Sequence, residues 1–376
     1  MNFAFSDEQE QLREFVRSFL DEKSDEAAVR EQMETENGFD AEVWKQMCEQ
    51  LALPALIIPE EYGGSNFGVA GIASILEELG KTLTPSPLFS TAVVGVSLVN
   101  HASDIVKKEI LTKVANEGLK LSLALEETNH HNPKKISCSV EKKGEAFFIN
   151  GEKSFVLDGT FADKIIVACR SSNSESEKDG ISLLLVDSNS EGLSITPTKM
   201  VDSRNAANIK FDNVKVTKDD FLSKSDDGKL IMDKTLDITR IGLAAEMLGS
   251  VQEAFDITMS YLKEREQFGV KIGSFQALQH RSALMFGEIE LCKSIVLKSF
   301  QLIDQNKDIS KTASLAKAKL GSTFKLVSNE AIQMHGGIGV TDDADIGFFL
   351  KRARVIEKIL GDTNYHLDRL SKMKGY

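Results

Sequence analysis

Arg265-Glu-Gln-Phe-Gly-Val-Lys-Ile-Gly-Ser-Phe-Gln-Ala-Leu-Gln-His280 interrupts one long helical pattern before the next begins. At the break stand a guanidinium (Arg265), an amide (Gln267), a ring (Phe268) and a glycine (Gly269). Arginine presents a planar fork of donors that matches phosphate oxygens, so the segment suits a long anionic ligand. It equally suits an ordinary helix-to-helix turn closed by glycine. The local residues leave both readings open.

Working outward, Gln333-Met-His-Gly-Gly-Ile-Gly339 ends a helical run in closely spaced glycines, which let a backbone approach a ligand. Together the two segments resemble the acyl-CoA dehydrogenase family, whose members carry Arg-x-x-Phe-Gly followed by Phe-Gln and later Gln-x-x-Gly-Gly. The resemblance runs along the whole chain. Met1-Asn-Phe-Ala-Phe-Ser-Asp-Glu-Gln9 is similar to the family's opening helix and Pro59-Glu-Glu-Tyr-Gly-Gly64 to its early turn; Glu77-Glu-Leu-Gly-Lys81 and Gly151-Glu-Lys-Ser-Phe155 follow in the family's order.

Composition bounds the rest. The 376 residues suffice for two or three domains, and 41% hydrophobic with 27% charged residues is ordinary for a globular protein. A net charge of −12 argues against nucleic-acid binding, which draws on a basic surface. The opening residues lack a basic stretch and an apolar run, and no long apolar segment follows, so neither secretion nor membrane insertion is expected. Cys48, Cys138, Cys169 and Cys292 form no CxxC pair, which points away from a zinc site or disulfide framework and towards a reducing, cytoplasmic location.

The texture divides the chain into three. Residues 1–118 read as a helical domain: Leu12, Phe15, Val16, Phe19 and Leu20 share a face, and Ala41–Leu51 and Val69–Leu79 repeat the pattern around a Pro- and Gly-punctuated connector, Leu53–Gly64. Residues 119–226 read as a β-domain, with alternation at Ile136, Cys138 and Val140 and short apolar runs at Lys164–Cys169 and Ile181–Val186. From 227 to 376 helices return, with Leu243, Met247, Val251 and Ala254 along one of them and later helices over about 274–304, 309–334 and 343–358. The expectation is an α+β multi-domain chain: helical domain, antiparallel β-barrel or sandwich, and four-helix bundle. A doubly wound sheet fits neither this order nor the missing strand-then-GxGxxG unit.

The resemblance implies an enzyme that oxidises an acyl-CoA thioester to the 2,3-enoyl-CoA, with a carboxylate taking a Cα proton while the Cβ hydrogen leaves as hydride to FAD. It implies that Arg265, Gln267, Phe268, Gln276, Gln333, Gly336 and Gly337 contact the adenosine arm of FAD across a dimer interface, that Phe155 stacks on the flavin, and that Asp237 and Arg240 serve the thioester. Asp237 and Arg240 also read as a helical acid and a solvated base. It further implies an electron-transfer flavoprotein as acceptor, and assembly as a homodimer, a homotetramer, or an α2β2 heteromer with a paralogous subunit.

The chain departs from the family at the reacting end. Leu125-Glu-Glu-Thr128 stands for Leu-Thr-Glu-Pro, which sets Glu126 near a developing flavin anion, and Leu157 lacks the hydroxyl of the family's Trp-Ile-Thr. Gly361 and Thr239 occupy the two places where the family carries its base. Asp362 and Glu246 are the substitute candidates, each with a structural alternative; Asp158 reads as a turn cap. Some bacterial members of sterol degradation resemble this pattern, working as α2β2 tetramers in which one subunit brings the base. His130-His131 reads as a solvated loop rather than a metal site, His280 and His335 as structural hydrogen-bonding groups, and Lys134-Lys135 and Lys142-Lys143 as surface charge.

Overall fold

The computed structural model describes residues 7–171, 180–223 and 227–376, so the part of the opening-helix match at 1–6, like residues 172–179 and 224–226 of the β-domain, lies outside the described residues. In chain order the first helices are α1 (Asp7–Lys23), α2 (Glu26–Glu34), α3 (Ala41–Glu49) and α4 (Val69–Lys81). A π-helical stretch, Phe89–Val96, continues into α5 (Ser97–Val99), and α6 (Asp104–Glu117) follows. Seven strands come next: β1 (Leu121–Ala124), β2 (Ser139–Lys143), β3 (Ala146–Leu157), β4 (Lys164–Ser171), β5 (Ile181–Asp187), β6 (Leu193–Lys199) and β7 (Asn205–Val216). Beyond them lie α7 (Gly228–Glu264), β8 (Glu266–Gln267), β9 (Val270–Lys271), α8 (Gln276–Asp304), α9 (Ser310–His335), α10 (Ile346–Ile356) and α11 (Thr363–Met373). The described residues form two compact units, one from 7–31, 73–85 and 240–376, the other from 32–72 and 86–239.

In the first unit α1 buries Val16 and Leu20, with Leu12 and Phe19 half-buried beside them. Phe15, expected on that face, is 69% exposed, because at 100° per residue it falls at the rim of the arc the other four span. Arg13 and Arg17 instead reach α4: Arg13 Nε donates to Glu78 Oε1 at 2.5 Å and Arg17 Nε to Glu78 Oε2 at 3.0 Å, while Lys81 Nζ adds a third cation at 3.0 Å. Burial works against the Glu78 carboxylate, yet these donors hold it down to about 2. Two glycines let α4 and α7 cross backbone to backbone. A Cβ at Gly249 would lie 1.8 Å from the Glu77 carbonyl and one at Gly80 2.0 Å from that of Glu246, and Ser250 Oγ donates to the Gly80 carbonyl at 2.8 Å.

Leu243, Met247, Val251 and Ala254 line the buried face of α7 as their spacing predicts. Helices α8, α9 and α10 match the three expected after it. Helix α11 is a further element: His366 is its one fully buried residue, so no apolar stripe announces it. Its start is capped by Asp362, whose side chain accepts from Tyr365 N–H.

The second unit holds one curled seven-stranded sheet in the order β1-β4-β2-β3-β7-β6, with β5 on the other side of β4 along most of its length. Antiparallel ladders join β2 to β3, β3 to β7, β6 to β7 and β4 to β5, whereas β1 and β2 run parallel to β4. Two irregularities bend β3 against β7, between Ile149 and Gly151 and between Lys153 and Val156. Residues Ile181–Val186 of β5 are all buried, which is why they read as a continuous apolar run. The core draws Ile149, Ile165, Val167, Leu184, Ile209 and Val214 from four strands. In the same unit Trp44 of α3 donates its indole N–H to the Gly118 carbonyl at 3.2 Å, just past α6. Among the described residues no helix is long and apolar enough to cross a membrane.

Candidate functional site

The Arg265–Gln276 break is a hairpin. Phe268 (φ 56°) and Gly269 (φ 78°) are both left-handed, the arrangement a two-residue turn needs to join β8 to β9, and Ile272 N–H closes on the Arg265 carbonyl at 2.9 Å. The hairpin holds Phe268 90% exposed, its ring edge-on to Phe275 at 6.3 Å. Arg265, Gln267 and Gln276 are exposed, and their side chains have no hydrogen-bond or ion-pair partner among the described residues. At the other segment Gln333 is exposed and equally unpartnered, and a Cβ at Gly336 or Gly337 would meet nothing within 4 Å. Tyr261 brings the two segments together: its hydroxyl donates to the His335 carbonyl at 3.2 Å and its ring stacks on the His335 imidazole at 4.4 Å. Burial pushes that imidazole down, so its Nδ1 donates to the Ala331 carbonyl at 2.7 Å as a neutral ring. His280, expected to hydrogen-bond structurally, is exposed and makes no side-chain bond among the described residues. An unpaired guanidinium, three unpaired amides, an exposed ring and unobstructed glycine backbone fit the adenosine arm of a dinucleotide.

The turn between α10 and α11 carries two acids, Glu357 and Asp362, and Glu357 Oε1 accepts from Thr363 N–H at 3.2 Å. Gly361 has φ 105° and Leu360 before it φ 59°. A Cβ on Gly361 would stand 2.4 Å from Tyr365 Cδ1 and 2.9 Å from His366 Nε2. Asp362 is occupied as the α11 cap, accepting from Tyr365 N–H at 2.9 Å and from Lys358 Nζ at 3.0 Å; burial opposes its ionisation, but these donors hold the carboxyl below its ordinary value. Glu246 is nearly fully buried and receives Arg352 Nη2 at 2.6 Å. Arg240, expected at the thioester, is buried with Nε on the Leu360 carbonyl at 3.2 Å and its guanidinium 5.8 Å from the Tyr365 ring. It is no solvated base.

In the second unit Thr239 is fully buried and donates to the Thr235 carbonyl one helical turn back at 2.6 Å. Asp237 is buried as well, at 5% exposure. The Leu125–Thr128 segment divides its two acids. Glu126 engages His131 Nδ1, and Asn132 N–H reaches its other oxygen at 3.3 Å. The solvated-loop expectation therefore fails for His131, whose side chain is 3% exposed: Glu126, five residues earlier, folds over it. Glu127 accepts from Lys153 Nζ at 2.8 Å, Ser137 N–H at 2.6 Å and Cys138 N–H at 2.9 Å. Lys153 lies inside the matched Gly151–Phe155 motif, and its burial was not expected. Two residues on, Phe155 has φ 50° and is 44% exposed, and Leu157 uses its carbonyl to accept from Ser122 Oγ at 2.5 Å. Asp158 takes a hydrogen bond from Ser90 Oγ at 2.5 Å, and its carbonyl accepts from Ala162 N–H at 3.2 Å in a turn. No cluster of metal-ligating side chains exists among the described residues.

Sequence models of the acyl-CoA dehydrogenase N-terminal, middle and C-terminal domains match residues 6–118, 124–214 and 226–374. The probable acyl-CoA dehydrogenase YngJ of Bacillus subtilis is 33% identical over 98% of each chain. The acyl-CoA dehydrogenase IpdE2 of Mycolicibacterium smegmatis is 31% identical, over 97% of this chain and 98% of that protein. Among solved structures, a variant of the Tcur3481-Tcur3483 steroid ACAD superposes with a TM-score of 0.88 at 28% identity, covering 98% of this chain and 97% of that one. Matched in all three domains and along full-length relatives, the chain belongs to the acyl-CoA dehydrogenase family.

Proposed function

We propose that the chain is the FAD-holding subunit of a heteromeric acyl-CoA dehydrogenase whose catalytic base comes from a paralogous chain. The observation that carries this is position 361. At φ 105° and with Tyr365 against it, the place of the family's glutamate has no room for a side chain while the Tyr365 ring stays where it is. The alternative place holds the buried hydroxyl of Thr239, and the two substitute acids, Asp362 and Glu246, are taken by a helix cap and an ion pair. A general base contributes on the order of 10² to 10⁴ in rate, so a chain without one needs a partner. The name of the steroid ACAD, which joins two components, supports the heteromeric reading over a homodimer or homotetramer. Exposed Leu284 and Leu291, seven residues apart on one face of α8, supply an apolar patch for assembly.

In this reading Arg265, Gln267, Phe268, Gln276, Gln333, Gly336 and Gly337 hold the dinucleotide arm of FAD, Phe155 lies against the flavin, and Asp237 and Arg240 support the thioester side. Bound FAD supplies the hydride acceptor. Boundaries at 118/119 and 226/227, a cytoplasmic location and an electron-transfer flavoprotein as acceptor complete the proposal. The test is anaerobic: the FAD-loaded chain alone, mixed with butyryl-, octanoyl- or steroid-CoA, keeps its flavin absorbance, and the co-expressed heteromer loses it. Bleaching by the chain alone at the rate of the heteromer would overturn the assignment.

A further inference from the structure

Three side chains converge on the carbonyls of the α10–α11 turn. Lys317 of α9 is fully buried, and its Nζ donates to the carbonyls of Ile356 at 3.1 Å, Glu357 at 2.8 Å and Gly361 at 3.0 Å. The three protons of the ammonium thus meet three oxygens. The Leu360 carbonyl, between those acceptors, takes Arg240 Nε at 3.2 Å and His366 Nε2 at 3.1 Å. A carbonyl opposite Nε2 places the imidazole proton there, and Nδ1 then lies 3.4 Å from Ser314 Oγ. On the amide side, Thr363 N–H is held by Glu357 Oε1 at 3.2 Å. The turn is gripped at consecutive peptide groups, and this grip forces Leu360 and Gly361 into successive left-handed conformations. A left-handed residue such as Gly361 disfavours a Cβ on backbone grounds alone.

The Tyr365 ring adds a steric exclusion. Its Cδ1 and Cε1 would lie 2.4 Å and 3.0 Å from a Cβ at 361, while Arg240 packs 5.8 Å from the ring centroid and His366 stands edge-on to it at 5.1 Å. The ring is therefore fixed between two residues that themselves hold the Leu360 carbonyl. We infer that Tyr365 is a positioning residue that fills the space of a side chain at 361 and, with Lys317, Arg240 and His366, locks the turn in a form only glycine can occupy. The inference deepens the functional proposal and rests on it in treating 361 as the place of the base. One substitution at 361 does not return an acid to that place; the ring must go as well. The division of labour between paired chains is thereby protected against single-step reversal.

Unfolding midpoints test this without reference to turnover, so its failure is distinguishable from failure of the flavin-bleaching assay. Gly361→Ala is introduced into the full chain and into the Tyr365→Phe, Tyr365→Gln and Tyr365→Ala backgrounds, with helical circular dichroism followed on heating. The expected result is a clear drop in midpoint in the native and Tyr365→Phe backgrounds, because the ring carbons and not the hydroxyl make the contact. The drop is expected to be markedly smaller with Tyr365→Ala or Tyr365→Gln, where only backbone strain remains. Tyr365→Gln keeps the comparison available where Tyr365→Ala does not fold. Equal drops in every background, or no drop on Gly361→Ala in the native chain, would overturn the inference.

Discussion

Lys317→Met is expected to remove a pH dependence of stability that the native chain carries above neutrality. Burial pushes the Lys317 ammonium from 10.5 down to about 7, against the opposing pull of Glu357. Between those two values the unfolded chain binds more protons than the folded one, so the lysine makes stability rise with pH; below the lower value its penalty is constant. At about 1.4 kcal/mol per pH unit, the part of this linkage between about pH 7 and about pH 8.5 integrates to a gain of roughly 1 to 2 kcal/mol. The native-minus-variant difference isolates this gain, because Cys48 and Cys292, pushed by burial from 9.0 up to about 12 and about 11, make stability fall with pH above about 9 in both proteins alike. Methionine fills a similar volume without the charge. Urea unfolding, followed by far-ultraviolet circular dichroism at several pH values in this window, gives the native-minus-variant difference. That difference should grow with pH by the stated amount. A difference that is flat or shrinks as pH rises would refute the reasoning, and would mean that the three carbonyl acceptors hold the ammonium charged throughout.

Two further changes separate cofactor contacts from structural ones. Arg265→Gln should leave the thermal midpoint of the FAD-free chain unchanged, since the guanidinium has no partner among the described residues, while weakening FAD binding by about 10- to 100-fold, the worth of a charge-assisted bond of roughly 1.5–3 kcal/mol; unchanged affinity in a flavin-fluorescence titration would remove Arg265 from the site. Glu127→Gln leaves the buried Lys153 ammonium without its counter-charge and should cost about 3–5 kcal/mol in urea unfolding at neutral pH. Burial works against the Glu127 carboxyl, but Lys153 and two backbone N–H groups hold it below its ordinary value, so the stability it confers is complete above about pH 4.5 and fades as pH falls through that lower value. The cost of the substitution should fade with it on acidification.

Legibility in the sequence followed the range of the interactions. Helix α7 was readable because Leu243, Met247, Val251 and Ala254 repeat at helical spacing, and α11 was not, because His366 alone is fully buried there. The hairpin at Glu266–Lys271 has strands of two residues, too short for alternation, although Gly269 marked the break. The parallel pairing of β1 and β2 with β4 depends on partners about 30 to 40 residues apart, which no local pattern encodes. The same limit hid the Lys153–Glu127 pair: the lysine stood in a recognised motif, yet only the folded sheet brings its acid within reach. Gly361 was legible as a missing acid. That its place is filled depended on Tyr365, four residues later in the helix that no apolar stripe announces.

Trp44 is the sole tryptophan of the chain, and its indole is clamped to the Gly118 carbonyl with the Cys48 thiol beside the same glycine. Its emission is therefore a single-site lamp on the packing of α3 against the end of α6, both in the unit that carries the sheet. The helical ellipticity draws mostly on α7 to α11, whose residues from 240 onward belong to the other unit. Recording both signals in one titration would reveal whether the two units melt in concert or in sequence, with no label added to the protein.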